Sequence, residues 1–209
     1  MTKVFVAGNH IQLQPAQIAW LSRDMPPEVH DKAAKYRRWQ DAQAFLWGRY
    51  LLATALQYFN LDKNLLQQIQ YTAYNKPYLP IPFDFNISHA GDYVVCAFAA
   101  TKTGIDMEQI RPVTLDDFTG CFTVGELNTI QQAPNIYREF FRHWTIKEAV
   151  IKADGKGLSI PLDTISVADK MQVAGNTWFI HPLDIAPGYM THLATNAPHT
   201  AIEIEQVSI

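Results

Sequence analysis

The sequence predicts an α+β protein with two halves of about 100 residues each, a usual size for domains. Three observations support this. Strand-like and helix-like segments follow the order strand, helices, strands, and then helices and strands again. The 209-residue chain is 48% hydrophobic and 18% charged, enough apolar material for a packed core. The pattern restarts near residues 101–112, so we expect subdomains over 1–104 and 105–209.

The first half begins with one strand and three helices. Alternation predicts a strand over Val4–Ala7, and prolines near their starts favour short helices over Pro15–Leu21 and Pro27–Arg38. A longer helix is predicted over Asp41–Phe59, where apolar residues recur at helical spacing.

Three strands and then a second set of elements follow. Short turns join the three strands, which predicts an antiparallel meander over Phe85–Ser88, Asp92–Ala100 and Gly104–Glu108. Helices are predicted over Thr123–Gln132 and Asn135–Ala153, the second ended by Gly155 and Gly157. Further strands are expected around Ile165, Trp178, Thr191 and Ile202.

Composition excludes several classes of protein. With 17 basic and 20 acidic residues, the chain lacks the basic excess of a nucleic-acid binder. No apolar run approaches the roughly 20 residues that span a bilayer. Two distant cysteines and no secretory leader favour the cytoplasm. Residues 1–104 hold 10 basic and 7 acidic residues, net +3, and the rest hold 7 and 13, net −6, so one half suits an anion and the other a cation.

Two acidic residues share one face of the strand predicted over Gly104–Glu108. Period-two alternation places Asp106 and Glu108 together, on the face opposite Ile105. Because like charges repel, the pair fits either an exposed strand edge or a site where a hard cation such as Mg²⁺ neutralises it. The strand alone leaves both interpretations open.

The helix predicted over Asn135–Ala153 carries a second charged group. Glu148 and Lys152 lie on one flank, four residues apart, beside an apolar stripe that contains Trp144. Lys147 falls inside that stripe. Taken alone, Glu148 and Lys152 fit a surface ion pair, and Lys147 fits a lysine that extends from an apolar face to water. Combined with the acidic strand, they offer Mg²⁺ three carboxylates beside a substrate phosphate.

A third group combines a hydroxyl, an imidazole and basic residues. Ser88 and His89 end a predicted strand before a small turn, where side chains and free backbone N–H groups can bind a phosphate. A single histidine at a strand end is also a common structural feature. Lys76 precedes this strand, and a basic run that includes Lys32 adds positive charge or forms a solvated helix face.

Four motifs follow one another along nearly the whole chain. They are KPY from Lys76, FNISHAGDYVVCAFA from Phe85, GIDMEQIRP from Gly104 and WTIKEAVIKADGKGLSIPL from Trp144. In these motifs the chain resembles the 4′-phosphopantetheinyl transferases, specifically the long, pseudo-dimeric type that activates peptide synthetases and related carrier proteins. The resemblance implies two similar α/β subdomains with antiparallel sheets, related by a pseudo-twofold, with the active site between them.

The resemblance also implies a reaction and its residues. The phosphopantetheine arm of coenzyme A passes to a serine of an apo carrier protein, 3′,5′-ADP leaves, and Mg²⁺ is required. The implied metal ligands are Asp106, Glu108 and Glu148. Lys152 would neutralise phosphate charge and also contact coenzyme A. The other implied coenzyme A contacts are Lys32, Lys76, Ser88 and His89.

The resemblance leaves the general base and the 3′-phosphate contacts open. Glu126 matches a glutamate proposed to help deprotonate the incoming serine. A carboxylate of ordinary pKa is a weak base for a hydroxyl, so Glu148 or a metal-bound water are alternatives. Val29 stands where the family often has a basic residue, which leaves Lys32, Arg37 or Arg49 for the 3′-phosphate.

The alternative function is a non-catalytic module of the same fold that binds coenzyme A or a carrier protein; a metal-dependent nuclease or phosphatase would need a basic surface. Acyl, peptidyl and aryl carriers all present a serine at the start of a helix, and the sequence selects none of them. We expect no nucleic-acid or membrane partner, and the pseudo-dimeric length implies a monomer.

Overall fold

The computed structural model describes residues 1–198 and 201–209 and confirms the α+β prediction. The helices are α1 (Pro15–Leu21), α2 (Pro27–Ala33), α3 (Trp39–Tyr58), α4 (Val124–Gln132) and α5 (Ile136–Asp154). The strands are β1 (Thr2–Gly8), β2 (Gln70–Tyr71), β3 (Pro77–Tyr78), β4 (Asp84–Ala90), β5 (Tyr93–Ala99), β6 (Thr103–Gln109), β7 (Lys170–Val173), β8 (Asn176–Pro182), β9 (Tyr189–Thr195) and β10 (Ile202–Val207). In the described part of the chain, no helix is long and apolar enough to cross a membrane.

The first sheet has the strand order β10-β1-β5-β4 and is covered on one face by α3. Successive side chains of β1 point to opposite faces of the sheet, and only one of these faces is covered by α3. Phe5 and Ala7 pack with Leu52 and Leu56 of α3, whereas Val4 lies on the opposite face. The small hairpin of β2 and β3 lies outside this sheet.

The second sheet has the order β6-β9-β8-β7 and is covered by α5. Trp178 and Ala194 pack with Val150 of the helix. On the other face, residues of β6 and β9 pack against β1 and β5 in a cluster that contains Val4, Val6, Val95, Ala97, Ile105, Met107 and Leu193. The two sheets therefore lie face to face between α3 and α5.

Gly104 sets the distance between α5 and β6. A Cβ atom at this position would collide with the Ala149 carbonyl oxygen and with the backbone of Ala153. Only glycine therefore allows the helix to lie this close to the strand, and the carboxylate-bearing strand β6 is held directly beneath α5.

Three sequence-based expectations need correction. The third strand of the expected meander, β6, pairs with β9 rather than with β5, because the chain changes sheet at residues 100–102. No strand forms around Ile165, which is buried after a single 3-10 turn (Leu162–Thr164); the nearest strand is β7. The helix expected over Pro27–Arg38 ends at Ala33.

The last strand crosses back to the first sheet. Although β10 falls within the range expected for the second subdomain, it pairs with β1 in parallel. Lys3 explains the attachment, since its Nζ lies 3.2 Å from a Glu203 oxygen and 2.9 Å from a Glu205 oxygen, and 4.2 Å from the centre of the Tyr58 ring. This buried lysine joins β10 to the core of the first half.

Candidate active site

A cavity of about 290 Å³ opens where β4, β6 and α5 meet. Its lining residues are Ile87, Ser88, His89, Asp106, Glu108, Trp144, Glu148 and Lys152. Six of these eight are residues that the sequence singled out for chemistry, and they come from both halves of the chain. Two separate strands and one helix thus bring them to one place.

Local periodicity explains why the side chains meet. Asp106 and Glu108 are two residues apart on β6 and share a face. Trp144, Glu148 and Lys152 follow one another at spacings of four along α5, on one flank of the helix. The sequence analysis assigned Trp144 only to the apolar core stripe. Its spacing of four residues from Glu148 was the signal that it also lines the cavity. Its ring also stacks on Phe140, with centroids 6.1 Å apart.

Asp106 is the centre of the polar network. Its Oδ1 accepts from Lys152 Nζ at 2.5 Å and from Ser88 Oγ at 3.1 Å. Its Oδ2 is also buried, yet accepts no hydrogen bond from any residue in 1–198 or 201–209. A buried carboxylate oxygen with a free lone pair is energetically costly, so it points to a group that binds there.

The protein environment disfavours charge on all three carboxylates. Burial raises the pKa of Asp106, and the Lys152 ammonium acts against this shift. Burial and then the charge of Asp106 raise the pKa of Glu108 to about 7. Burial also raises the pKa of Glu148. At His89, burial and then the Lys152 charge lower the imidazole pKa, which keeps the ring neutral. The cavity thus concentrates acidic groups that lack enough positive charge.

The donor chemistry fits a hard cation. Within the described ranges no three acidic, histidine or cysteine side chains stand close enough to form a ready-made metal group, so side chains would have to move on binding. The donors are nevertheless three carboxylates, one with a buried free oxygen. Mg²⁺ prefers such ligands and fills its other positions with water and substrate phosphate.

Glu126 lies outside this cavity, in the capping box of α4. Its Oε2 accepts from Thr123 N at 2.9 Å and from Lys147 Nζ at 2.6 Å, and its Oε1 accepts from Val167 N at 3.0 Å. Lys147 is fully buried and also donates to the Leu162 carbonyl. Lys147 therefore does not extend to water, and Glu126 holds a lysine, a helix start and a loop together.

Lys76 also lies outside the cavity, at the opposite end of β4 from Ser88. Its Nζ donates to Asp84 Oδ2 at 2.7 Å, to the Thr103 carbonyl at 3.4 Å and to the Ala153 carbonyl at 3.2 Å. This ammonium links β4, β6 and the end of α5. The Asp84 carboxylate and the two carbonyl oxygens neutralise and solvate this ammonium within the protein, so it is not free to bind a phosphate.

Lys32 lines a second cavity of about 570 Å³ in the first half. Arg49 and Val29 line the same cavity, so the arginine supplies positive charge where Val29 does not. Both cations lie near the ring of Phe45, and Arg49 donates to the Tyr71 hydroxyl at 3.3 Å. The structure thus groups Lys32 with Arg49 and separates it from the carboxylate cavity.

Comparison with known proteins identifies the family. Residues 12–101 match the family described as 4′-phosphopantetheinyl transferase, N-terminal, and residues 102–184 match the 4′-phosphopantetheinyl transferase superfamily. The 4′-phosphopantetheinyl transferase Sfp of Bacillus subtilis is 30% identical over 195 residues, 87% of either chain. The chain belongs to the 4′-phosphopantetheinyl transferase family.

Other transferases of the family support the same assignment. The 4′-phosphopantetheinyl transferase gsp of Aneurinibacillus migulanus is 34% identical and covers 73% of this chain and 65% of its own. The mouse L-aminoadipate-semialdehyde dehydrogenase-phosphopantetheinyl transferase is 31% identical and covers 72% of this chain and 55% of its own. The protein is thus an enzyme of the long phosphopantetheinyl transferase type, which transfers phosphopantetheine to carrier proteins.

The two family matches meet at the carboxylate cavity of this phosphopantetheinyl transferase. The first match contains Ser88 and His89, and the second contains Asp106, Glu148 and Lys152. Each half therefore supplies part of the lining, as the sequence predicts for an active site between two subdomains.

Proposed function

We propose that the carboxylate cavity binds the pyrophosphate of coenzyme A together with Mg²⁺ and transfers 4′-phosphopantetheine to a serine of an apo carrier protein. In this reaction the serine oxygen bonds to the phosphorus that carries the pantetheine arm. The bond from that phosphorus to the bridging oxygen breaks, and 3′,5′-ADP leaves with the electron pair. The observation that carries the proposal is the buried, unpartnered Oδ2 of Asp106 beside the Lys152 ammonium, a statement confined to residues 1–198 and 201–209.

Asp106, Glu108 and Glu148 would hold Mg²⁺. Bound there, the ion would neutralise charge on the pyrophosphate oxygens. The raised pKa values of Glu108 and Glu148 support this assignment, because burial and then the Asp106 charge disfavour their ionised forms, which a bound cation would favour.

Lys152 supplies the fixed positive charge of the site. Its side chain is 29% exposed, so the ammonium reaches the cavity while it stays bonded to Asp106. An ammonium held in a partly buried site stabilises charge that develops on phosphate oxygens and needs little reorganisation. Ser88 and His89, from the end of β4, would contact the phosphates through a hydroxyl and a neutral imidazole.

Glu148 is our candidate for the group that accepts the serine proton. It lines the cavity that would hold the reacting phosphorus. The alternative, Glu126, is engaged by three donors outside the cavity. Proton transfer to Glu148 would occur as the serine oxygen approaches phosphorus.

The nucleotide end of coenzyme A would extend toward the first half. Lys32 and Arg49 are candidates for the 3′-phosphate, since both line one cavity with aromatic rings that suit an adenine. Lys76 would act indirectly, by fixing β4. We retain the division into a coenzyme A-binding subdomain over 1–104 and a metal-binding, carrier-facing subdomain over 105–209, with β10 attached to the first sheet.

Acyl, peptidyl or aryl carrier proteins are the proposed acceptors. A monomer suffices, because one chain supplies both sides of the cavity. Cys96 and Cys121 are free thiols, which fits the reducing cytoplasm.

Intact-mass spectrometry of apo carrier proteins incubated with this protein, coenzyme A and Mg²⁺ tests the proposal. We expect a mass gain of one phosphopantetheine that disappears with EDTA and with Glu148→Ala. A gain that persists in both controls would contradict the metal assignment. No gain on acyl, peptidyl and aryl carriers, despite measurable coenzyme A binding, would contradict the proposed reaction.

A further inference from the structure

The two sheets meet along an unusual junction between β4 and β6. Alternate N–H groups of β6 donate to side-chain oxygens of β4, and the described chain has no backbone ladder between these strands. The three contacts are Thr103 N to Asp84 Oδ2 at 2.9 Å, Ile105 N to Asn86 Oδ1 at 2.9 Å and Met107 N to Ser88 Oγ at 3.3 Å. Each joins residues offset by 19 positions, so the strands run in the same direction. We call this set of contacts the side-chain seam.

The outer contacts of the seam are fixed by further groups. Asp84 accepts from Lys76 Nζ, which also donates to the end of α5. At the other end, Ser88 Oγ donates to Asp106 Oδ1 and lies 3.4 Å from Lys152 Nζ. One end of the seam therefore stabilises the junction of three elements, and the other end belongs to the active site.

The middle contact rests on Asn86 alone. This residue is buried and lies outside the cavity lining. Its Oδ1 accepts from the N–H of Ile105, the residue directly before Asp106. The other edge of β6 pairs with β9, so Asn86 holds the strand from the side that faces β4.

We propose that Asn86 is a positioning residue for phosphopantetheine transfer, acting through the backbone of Ile105 to hold Asp106 against Ser88 and Lys152. The inference rests on the proposed function of Asp106. Without the Asn86 oxygen, the buried Ile105 N–H must recruit water or shift to find another acceptor. Either change moves β6 relative to β4, and small displacements of reacting groups reduce rates by up to about 100-fold.

The seam itself suggests a matched pair of variants. Ser88 shows that a serine hydroxyl on β4 accepts from a β6 N–H, so Asn86→Ser keeps an acceptor that Asn86→Ala lacks. We expect Asn86→Ala to lower kcat about tenfold and to leave KM for coenzyme A within about twofold, because β4 stays paired with β5. Asn86→Ser should recover kcat to within about threefold of the unmodified enzyme.

Gln43→Leu serves as a control for lost stability. Gln43 is a buried amide with hydrogen bonds to Asn9, Ile11 and Leu13, and it lies away from the carboxylate cavity. This variant should lower the melting temperature and leave kcat unchanged at a temperature where it is folded. Equal kcat values for Asn86→Ala and Asn86→Ser would overturn the proposal, as would an equal loss of kcat in Gln43→Leu.

Two further measurements separate the possible failures. Calorimetry should show that Asn86→Ala binds coenzyme A within about threefold of the unmodified protein; a larger loss would overturn the proposal. If Asn86→Ala does not fold, hydrogen exchange at the Ile105 amide of the unmodified protein tests the hydrogen bond from Ile105 N to Asn86 Oδ1. Fast exchange at this amide would contradict that hydrogen bond and with it the proposal. Full transfer activity of Asp106→Ala would contradict the proposed function of the cavity. If Asp106→Ala loses activity but both Asn86 variants keep full activity, only the positioning role of Asn86 is contradicted.

Discussion

Lys152 donates to Asp106 across 2.5 Å, and the two side chains differ in exposure, at 29% and 4%. The ammonium therefore faces the cavity while the carboxylate is enclosed between β6 and α5. This pair joins β6 and α5, the two elements that carry all three acidic residues of the cavity. Its geometry lets one lysine stabilise the fold and also present its charge to the proposed substrate.

Lys152→Met should reduce both transfer and stability. The change removes the charge proposed to stabilise phosphate oxygens, so we expect kcat to fall about 100-fold. It also leaves Asp106 buried without its charged partner, which should cost about 2 kcal/mol in the free energy of unfolding. Steady-state kinetics and urea unfolding at pH 7.5 measure the two effects.

Lys156→Met is the matched control for that experiment. Lys156 lies on the same segment, is 44% exposed and approaches Asp154 only to 3.8 Å. Its loss should leave kcat unchanged, because Lys156 does not line the carboxylate cavity, and should cost less stability than the loss of Lys152, because its nitrogen lies 3.8 Å from the nearest Asp154 oxygen whereas the Lys152 nitrogen lies 2.5 Å from Asp106. Equal effects of the two substitutions would show that the Lys152 contact has no special role.

Gly104→Ala should disrupt the contact between β6 and α5. The added methyl group would meet backbone atoms of Ala149 and Ala153, which cannot move as a side chain can. We expect a loss of about 3 kcal/mol in unfolding free energy and a matching fall in activity. Gly120→Ala is the control, since a Cβ there meets no atom of the described residues within 4 Å. Equal melting temperatures for both variants would contradict the tight approach.

Periodicity explains why the sequence predicted much of the cavity. Asp106 and Glu108 share a strand face through the period of two, and Glu148 and Lys152 share a helix flank through the spacing of four. Both rules act within one element, so they hold whatever the rest of the chain does. The α+β class and the long helices were predictable for the same reason.

Contacts between elements were not predictable in this way. No local pattern shows that β6 leaves the expected meander to pair with β9, or that β10 returns to β1. Glu126 and Lys147 are 21 residues apart, and only the packing of α4 on α5 reveals that they neutralise one another. Lys76 likewise carries a charge that suits a phosphate, and its acceptors become visible only in the assembled fold.

Glu126→Gln distinguishes a structural glutamate from a catalytic base. The substitution leaves the buried Lys147 ammonium without its counter-charge, so we expect a loss of about 3 kcal/mol in unfolding free energy. Because Glu126 lies outside the cavity, kcat should stay within about threefold at a temperature where the variant is folded. Chemical unfolding and carrier-loading kinetics measure the two quantities.

The double variant Glu126→Gln/Lys147→Met controls for the unpaired charge. Removal of both charges should recover part of the lost stability, since the desolvation penalty of the lysine disappears. A fall of kcat by 100-fold or more in a folded Glu126→Gln variant would instead support Glu126 as the base.

We expect the free energy of unfolding to fall on mild acidification because of the buried His192. His192 is buried on β9, and its Nδ1 lies 2.7 Å from Thr145 Oγ1. The Thr145 hydroxyl already donates its one hydrogen to the Phe141 carbonyl at 2.6 Å. His192 Nδ1 must therefore carry a hydrogen and donate it to the hydroxyl oxygen. Burial lowers the pKa of this histidine to about 4. In the unfolded chain the pKa is about 6.5, so between these values the unfolded state binds more protons and stability falls with falling pH.

The expected size of this effect is about 2 kcal/mol between pH 7.5 and pH 5, from the two pKa values. His192→Asn keeps an N–H donor for Thr145 and removes the titration, so its unfolding free energy should depend less on pH by that amount. Urea unfolding of both proteins at the two pH values provides the measurement. Parallel pH profiles would place the acid sensitivity elsewhere, for instance at the buried His143, whose pKa is also lowered by burial. Such a result would mean that His192 accepts its proton in the folded state without loss of the Thr145 contact, because an imidazolium can still donate from Nδ1.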